Sequence, residues 1–170
     1  MRSRSRMADD RFNHRASASA GRRGAPQKGG PHAQGLGRSR GGLSTKIHAA
    51  GDALGNPIRL IGGPGQENDI THAHELIDGF SAAATIADKG YDANHLHEKI
   101  AGRDGEIVIP PKRNRKVQRS YDVDLYKERN LIERLFNKLK QFRRIATRYD
   151  KLLVNFMGFV KLAAIAIWLR

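Results

Sequence analysis

The sequence predicts an α/β fold, in which a mixed sheet of about five strands carries helices on its faces. Short apolar runs of strand length alternate along the chain with longer segments of helical periodicity. Turns that contain glycine or proline separate these segments. The chain has 170 residues, which is enough for one domain with a buried core. We therefore expect residues 43–170 to form this domain.

A flexible basic segment, rich in glycine and arginine, is predicted to precede the domain over residues 1–42. Residues 1–46 contain eleven Arg or Lys against two Asp. Such a composition cannot bury enough apolar surface to fold by itself. A disordered solubilising tail is the simplest interpretation, but the single sign of the charge favours an arm that contacts the DNA backbone. MADDRF, at residues 7–12, is the candidate for a first strand within this arm.

An antiparallel hairpin is predicted next, from LSTKIHAA at residues 43–50 and PIRLIG at residues 57–62. The intervening GDALGN has the residues of a tight turn. A helix then runs to about Asp78, and Asn68 or Asp69 is its expected N-cap.

Four histidines lie in or near the predicted helices. His72 and His74 are two residues apart and so point to different faces of one helix. We interpret both as surface residues rather than metal ligands, and we extend that interpretation to His95 and His97.

A buried strand is predicted at residues 82–87, where six apolar or small residues follow one another. Asp88 comes directly after it, and a second helix is expected from about Asp92, as its cap, to Ala101. Ligands of α/β sheets bind at the carboxyl ends of strands, so Asp88 is a candidate site residue. An aspartate that only closes the loop is the alternative.

A further strand is predicted at residues 106–109, stopped by Pro110 and Pro111. The loop that follows, residues 112–119, contains five cations among eight residues. It is well placed to hold a phosphate backbone. A last helix, from about Asp150, is expected to close over the sheet.

The helix predicted at residues 126–140 carries two stripes. Tyr126, Arg129, Glu133 and Lys140 stand at offsets of three, seven and fourteen, which places them on one line down the helix. An apolar stripe lies beside them, so Glu133 is expected at the edge of a buried seam. A solvated amphipathic helix with ordinary charge pairs is the simplest interpretation of this spacing. The apolar stripe consists of Leu125, Ile132, Leu135, Phe136, Leu139 and Phe142.

Composition excludes several kinds of protein. The chain has no cysteine, so it has neither disulfides nor thiolate metal sites. Its formal net charge of +14 at pH 7 indicates a polyanionic partner, nucleic acid before an anionic membrane surface. The apolar segment 152–169 is interrupted by Asn155, Gly158 and Lys161, which favours a buried helix over a membrane span. No apolar run near the N-terminus could serve as a signal peptide, and we expect a cytoplasmic protein.

The pattern Tyr-x2-Arg-x3-Glu-x6-Lys of the helix 126–140 resembles the signature around the last acidic residue of DDE-type bacterial insertion-sequence transposases. All four positions are met. Three further segments look like one insertion-sequence family, conventionally numbered five, and the resemblance extends roughly from Gly35 to Arg170. These segments are GRSRGGLSTKIHAAGDALGNPIRLI, GQENDITHAHELI and ADKGYDA.

The resemblance implies a ribonuclease-H-like fold with three acidic residues on the first strand, at the end of the fourth and on a following helix. Asp88 and Glu133 match the second and third. Asp9 matches the first by its spacing to the Ala-Gly of MADDRFNHRASASAG, with Asp10 as the neighbour that could replace it. The residues around Asp9 are polar where a strand core is expected.

The implied activity is metal-dependent DNA strand cleavage and strand transfer at insertion-sequence ends. The resemblance makes Asp9, Asp88 and Glu133 the catalytic carboxylates and the ligands of two Mg²⁺ ions, with Mn²⁺ as the substitute. DNA contacts are expected from the helix and from the cationic loop. The expected contacts are Tyr126, Arg129, Lys140, Lys112, Arg113, Arg115 and Lys116.

Two rival interpretations treat the acidic residues as structural or inactive. One is a non-catalytic nucleic-acid-binding module, and the other is a degenerate transposase remnant whose first strand is compromised. Longer family members have an N-terminal helical region, so this chain could be one frame of a split gene or a decayed copy. The expected partners are double-stranded DNA of transposon ends and target, an upstream-frame N-terminal part and further copies of the chain, with the protein associated with the nucleoid.

Overall fold

The computed structural model describes residues 3–13, 34–39 and 42–170. Residues 1–2, 14–33 and 40–41, which together make up more than half of the predicted basic arm, lie outside the described residues. The side chains of residues 8–13 lie outside them as well, which includes Asp9 and Asp10.

One mixed sheet of six strands forms the centre of the molecule. Its strands are β1 (Ser3–Asn13), β2 (Gly37–Ser39), β3 (Gly42–Gly51), β4 (Pro57–Pro64), β5 (Ala82–Ala87) and β6 (Glu106–Val108). β1 lies in the middle, antiparallel to β3 and parallel to β5. β2 and β4 pair antiparallel with β3, and β6 pairs parallel with β5. The predicted α/β class and mixed sheet are confirmed, and the strand order agrees with a ribonuclease-H-like fold.

The central strand β1 includes the predicted segment 7–12 and extends beyond it at both ends. Its sequence is polar for a central strand, yet Ser5, Arg6 and Met7 are all buried. Ser5 Oγ lies 3.4 Å from Thr85 Oγ1 on β5, and Arg6 Nη1 donates to the carbonyl oxygen of Asp52 at 2.6 Å. Hydrogen bonds to neighbouring segments therefore allow polar side chains to lie inside the sheet.

The predicted hairpin is confirmed as β3 and β4. Its turn is held by Asp52, whose Oδ1 accepts hydrogen bonds from the backbone N–H groups of Leu54 at 2.9 Å and Asn56 at 2.8 Å. Gly55 has a φ of 84°, in the left-handed region that glycine adopts without a steric penalty. The Asp and Gly of GDALGN thus serve the turn for two different physical reasons.

Among the described residues, two helices are interspersed with the later strands and four follow the last strand. They are α1 (Ala73–Ile77), α2 (Asn94–Ala101), α3 (Val123–Tyr126), α4 (Asn130–Lys140), α5 (Arg143–Ala146) and α6 (Leu153–Trp168). A 3₁₀ turn, Lys127–Arg129, joins α3 to α4, so the predicted helix 126–140 is part of one continuous helical segment. Another 3₁₀ turn, Asp69–His72, leads into α1.

Of the predicted helix caps, Asn68 occupies the N-cap position but makes no capping hydrogen bond with its side chain, and Asp92 as the cap of the second helix is wrong. The first 3₁₀ turn begins after Asn68, but no side chain caps it. Asp69 instead accepts a hydrogen bond from Lys46 Nζ at 2.5 Å. Asp92 lies two positions before Asn94, the first residue of α2, and its buried carboxylate turns to the loop after β6. In both cases a cation distant in sequence competes for the carboxylate more effectively than the helix N-terminus does.

The core has a layer on each face of the sheet. α4, α5 and α6 cover one face, where Ile47 and Ala49 of β3 pack against Ile132 and Phe156. α1 and α2 cover the other, around Met7. The predicted apolar stripe of α4 is confirmed where the helix meets the sheet. Its buried members are Ile132, Leu135, Phe136 and Leu139.

The C-terminal helix α6 buries one side against β4 and leaves Leu162, Ile165 and Trp168 exposed. The indole N–H of Trp168 donates to the carbonyl oxygen of Pro57 at 2.7 Å, which ties the helix end to the start of β4. Across the part of the chain that the structure describes, no helix is both long and apolar enough to cross a membrane.

Candidate active site

Two carboxylates meet at one guanidinium beyond the carboxyl end of β5. Asp88 follows this strand directly, and its Oδ1 lies 3.0 Å from Nε of Arg129. Nη2 of the same arginine lies 2.6 Å from Oε1 of Glu133. The structure thus brings Asp88, Arg129 and Glu133 together, although Asp88 is 45 residues away from Glu133 in sequence.

The helical segment that carries Arg129 and Glu133 begins at a well-formed cap. Asp122 Oδ1 accepts hydrogen bonds from the backbone N–H groups of Asp124 and Leu125, both at 2.9 Å. This cap sets the start of α3, and the helical spacing then directs Tyr126, Arg129 and Glu133 to one side. The Tyr126 hydroxyl donates to Asp88 Oδ1 at 3.3 Å. The local sequence thereby aims three polar side chains at the end of β5.

Burial and neighbouring groups act in opposite directions on the pKa of Asp88. Burial raises the pKa of Asp88 above its ordinary value, against the opposing effects of the Arg129 charge and the Tyr126 hydrogen bond. The nearby Glu133 carboxylate raises it further. A cation bound between the two carboxylates would relieve that repulsion and favour the charged form of both.

An open cavity of about 750 Å³ lies over Asp88. Its volume is in the range of cavities that hold small molecules, and its wall carries four cations and two carboxylates. Glu133, whose side chain is exposed, contacts Arg129 of the cavity wall. The lining residues are Asp69, Asp88, Lys89, Gly90, Pro110, Lys112, Arg113, Asn114, Tyr126 and Arg129.

Asp9, the predicted first carboxylate, lies on β1. Met7 of this strand pairs with Ala87, the residue before Asp88, and Asp9 pairs with His48 of β3. The backbone of Asp9 is therefore at the edge of the sheet at which Asp88 stands. Its side chain, like that of Asp10, lies outside the described residues.

The cationic loop has two roles in the structure. Lys112 and Arg113 line the cavity, and Lys116 is exposed. Arg115, another predicted DNA contact, instead donates from Nε to Asp92 Oδ2 at 2.7 Å, and Arg119 reaches the other oxygen of Asp92 at 3.0 Å.

Asp92 is the anchor of this loop, a role that sequence reasoning missed. Burial would raise the pKa of Asp92, but hydrogen bonds from Arg115 and from the Lys112 backbone N–H bring that pKa below its ordinary value. Charged at neutral pH, Asp92 fixes the loop beside the cavity. Its distance in sequence from both arginines left no local pattern that would have revealed this.

Three further residues near the site were not predicted. Asp69 lines the cavity with Asp88 and is held by the buried Lys46. Arg6 is buried, and its Nη2 lies 2.6 Å from Oε2 of Glu128, the residue before Arg129. Glu128 pairs with this buried arginine, although its own side chain is 37% exposed.

The interpretation of the four histidines as surface residues does not hold for all of them. His97 is buried, with Nε2 3.2 Å from Asp92 Oδ1, so that interpretation is wrong for it. His74 and His95 stack on each other near the surface, with ring centroids 4.6 Å apart. His72 is half-buried and lies 3.0 Å from Glu67. Lys140 remains on the exposed side of α4, at its C-terminal end.

Comparison with known proteins supplies the family. The model of a transposase DDE domain matches residues 17–169, a range that begins after Asp9. A protein of Brucella ovis named "Putative transposase for insertion sequence element IS6501" is 45% identical over 132 residues, covering 75% of this chain and 100% of that protein. A protein of Burkholderia cepacia named "Putative transposase for insertion sequence element IS402" is 28% identical over 130 residues, covering 69% of this chain and 59% of that protein.

Proposed function

Since the chain belongs to the DDE transposase family, we propose that Asp88 and Glu133 are two of its three catalytic carboxylates and that Asp9 is the third. The observation that carries the proposal is the contact of one guanidinium, that of Arg129, with both Asp88 and Glu133. Two carboxylates held this close to one cation offer a position for a metal ion. For Asp9 the support is the place of its backbone beside the end of β5.

The chain is a transposase, and its family implies a divalent metal. We propose Mg²⁺, with Mn²⁺ as a substitute, because the candidate ligands are carboxylate oxygens, which Mg²⁺ prefers. Bound there, the metal would activate the attacking oxygen and stabilise the leaving oxygen of an in-line displacement at phosphorus. The proposed reactions are strand cleavage at the ends of the insertion sequence and strand transfer to target DNA.

The protein's own residues orient the carboxylates and the DNA. The Tyr126 hydroxyl holds Asp88 through Oδ1, while Arg129 neutralises Asp88 and Glu133. Once a metal ion supplies that positive charge, the planar guanidinium of Arg129 can pair with a phosphate in a bidentate manner. Tyr126 and Lys140 are proposed to contact DNA on either side of it.

The cationic loop is proposed to hold the DNA backbone next to the cut. Lys112 and Arg113 line the cavity that contains Asp88, and Lys116 is exposed beside them. Arg115 is paired with Asp92, so its main effect is to hold the loop in place, and its DNA contact remains a prediction.

The family implies that the protein binds transposon ends. We also propose that the protein binds a target duplex, acts on DNA as several copies of the chain and associates with the nucleoid. An upstream-frame N-terminal part is a further proposed partner. Membership of the insertion-sequence family numbered five remains a prediction. A catalytically inactive remnant is not favoured, because the described carboxylates are held together on the central sheet and its covering helix.

Metal removal tests the enzyme. The full chain should cleave a duplex that carries the ends of its own insertion sequence in Mg²⁺, lose this activity in EDTA and regain it when Mg²⁺ is restored. Strand products are measured on denaturing gels. Tight DNA binding without cleavage in either Mg²⁺ or Mn²⁺ would favour the DNA-binding remnant instead.

Salt dependence tests the DNA surface. The logarithm of the affinity for duplex DNA should fall linearly with the logarithm of salt concentration, by roughly 0.9 for each phosphate contact. Arg113→Ala should reduce the slope by about one, whereas Lys161→Ala, on α6 and outside the cavity lining, should leave it unchanged. Fluorescence anisotropy at several salt concentrations measures both slopes. A slope near zero for the parent protein would contradict the assignment.

A further inference from the structure

We propose a second metal site, formed by His48, Glu67 and His72, that takes a transition-metal ion of the Zn²⁺ class. His48 lies in the middle of β3, while Glu67 precedes the 3₁₀ turn that contains His72. One ligand atom from each residue lies within 4.8 Å of the other two. The site shares no residue with the pair of Asp88 and Glu133.

The first supporting observation is the state of His48. Its side chain is fully buried, and among the described residues neither ring nitrogen has a hydrogen-bond partner. A buried polar group without a partner is costly and calls for an explanation. Burial, reinforced by the neighbouring His72 and Lys46, lowers the pKa of His48 to about 4. The ring is therefore neutral at pH 7, which is the form that binds metal ions.

The second observation is the arrangement of the other two ligands around His48. His72 Nε2 lies 3.0 Å from Glu67 Oε2, and the rings of His48 and His72 have centroids 4.8 Å apart. Behind the cluster, Glu75 Oε2 lies 3.6 Å from the other ring nitrogen of His72. A carboxylate at that place is the usual outer partner of a histidine that binds metal.

The absence of a side chain at Gly63 leaves room for Glu67 and His72 of the cluster. A Cβ at this position would overlap Glu67 Oε2 and would lie 3.2 Å from His72 Nε2. Gly63 pairs with Lys46 across the β3–β4 ladder, so the absence of a side chain lets the Glu67–His72 pair approach the sheet. The close approach accounts for glycine at this strand position.

The ligand set selects the class of ion. Two imidazoles and one carboxylate form a typical Zn²⁺ set with an open fourth position, whereas Mg²⁺ prefers oxygen ligands throughout. Tetrahedral ligands at the usual Zn²⁺ distances stand about 3.3 Å apart, so the three side chains must draw together when the ion enters. Glu67 and His72 are partly exposed and have room to do so. A simple ion pair between Glu67 and His72 would leave His48 unexplained.

The site would fix the turn that delivers Asp69 to the active-site cavity. Lys46 Nζ donates to the backbone carbonyl of Glu67 at 2.8 Å and to Asp69 Oδ1 at 2.5 Å. An ion that joins His48 to Glu67 and His72 therefore clamps this turn to β3. The proposed role is structural, distinct from that of the catalytic carboxylates.

Metal titration of the full chain tests the proposal. After treatment with chelator and its removal, the protein should bind one Zn²⁺ per chain at this site in calorimetry, and Zn²⁺ should raise its melting temperature. Co²⁺ should give the visible absorption of a four-coordinate ion. His72→Ala and Glu67→Gln should each weaken Zn²⁺ binding by at least tenfold, whereas His95→Ala, in the exposed histidine pair, should leave it unchanged.

A double variant separates this site from the catalytic one. Asp88→Asn/Glu133→Gln should lose Mg²⁺-dependent cleavage but keep the Co²⁺ spectrum. If that spectrum disappears with the double variant, or is unchanged in His72→Ala and Glu67→Gln, the ion lies elsewhere and the inference is overturned. Absence of Zn²⁺ binding to the parent protein overturns it too. In neither case is the proposed strand-cleavage activity affected.

Discussion

Glu133→Gln should reduce Mg²⁺-dependent strand cleavage by about a thousandfold, the scale on which a single electrostatic contribution to a transition state acts. The substitution retains the shape of the side chain and removes the charge proposed to hold the metal. Glu133 is exposed on α4, and the amide oxygen can still accept the hydrogen bond from Arg129. We therefore expect the free energy of unfolding to change by less than about 0.5 kcal/mol.

DNA cleavage and DNA affinity are both measured for the Glu133→Gln protein. DNA affinity of the Glu133→Gln protein should equal that of the parent, because no cation that contacts phosphate is removed. Glu98→Gln provides a matched control, since it makes the same chemical change at an exposed position of α2. Cleavage at the parental rate by Glu133→Gln would exclude α4 from the chemistry.

Glu128→Ala should lower the free energy of unfolding by about 2 kcal/mol, less than the loss from a fully buried ion pair, because the Glu128 side chain is 37% exposed. Arg6 is 1% exposed, and its guanidinium would keep a charge inside the sheet without the Glu128 carboxylate, 2.6 Å away in the parent protein. For a domain of this size the melting temperature should fall by about 4–8 °C. Thermal unfolding followed by circular dichroism measures the shift.

The exposed pair of Asp124 and Lys127 in the same helical segment supplies the control. Its side chains are 88% and 74% exposed, so Asp124→Ala should change stability by less than about 1 kcal/mol. Arg6→Met combined with Glu128→Leu should recover much of the loss, since an apolar pair of similar volume leaves no buried charge. Equal losses of stability in Glu128→Ala and Asp124→Ala would show that the Arg6–Glu128 pair stabilises the protein no more than an exposed ion pair does.

Local sequence patterns were sufficient to predict most helices and strands and to name some candidate site residues. The hairpin, the strand at residues 82–87 and the helix from Tyr126 to Lys140 were all predicted from periodicity and turn residues, and the structure contains them. Asp88 and Glu133 were predicted as site residues, and the structure brings both to the guanidinium of Arg129. The predictions of the elements succeeded because alternation, helical spacing and turn chemistry act over a few residues.

The tertiary structure decided which residue pairs with each charged side chain. Asp92 was predicted as a helix cap, and Asp69 as the alternative to Asn68. Each aspartate is instead bound to a cation more than 20 residues away. His48 drew no attention in the sequence, because only the closed sheet removes it from water and brings Glu67 and His72 to it.

By itself, therefore, the sequence determined the α/β class, the order of the elements and, through its motifs, the resemblance to DDE transposases. The central position of β1 and the burial of Arg6 came only from the fold. A strand as polar as β1 carries no apolar pattern of its own, and its polar side chains can be buried only because Thr85, Asp52 and Glu128 lie beside them. Such pairings join residues distant in the chain, and no local pattern records them.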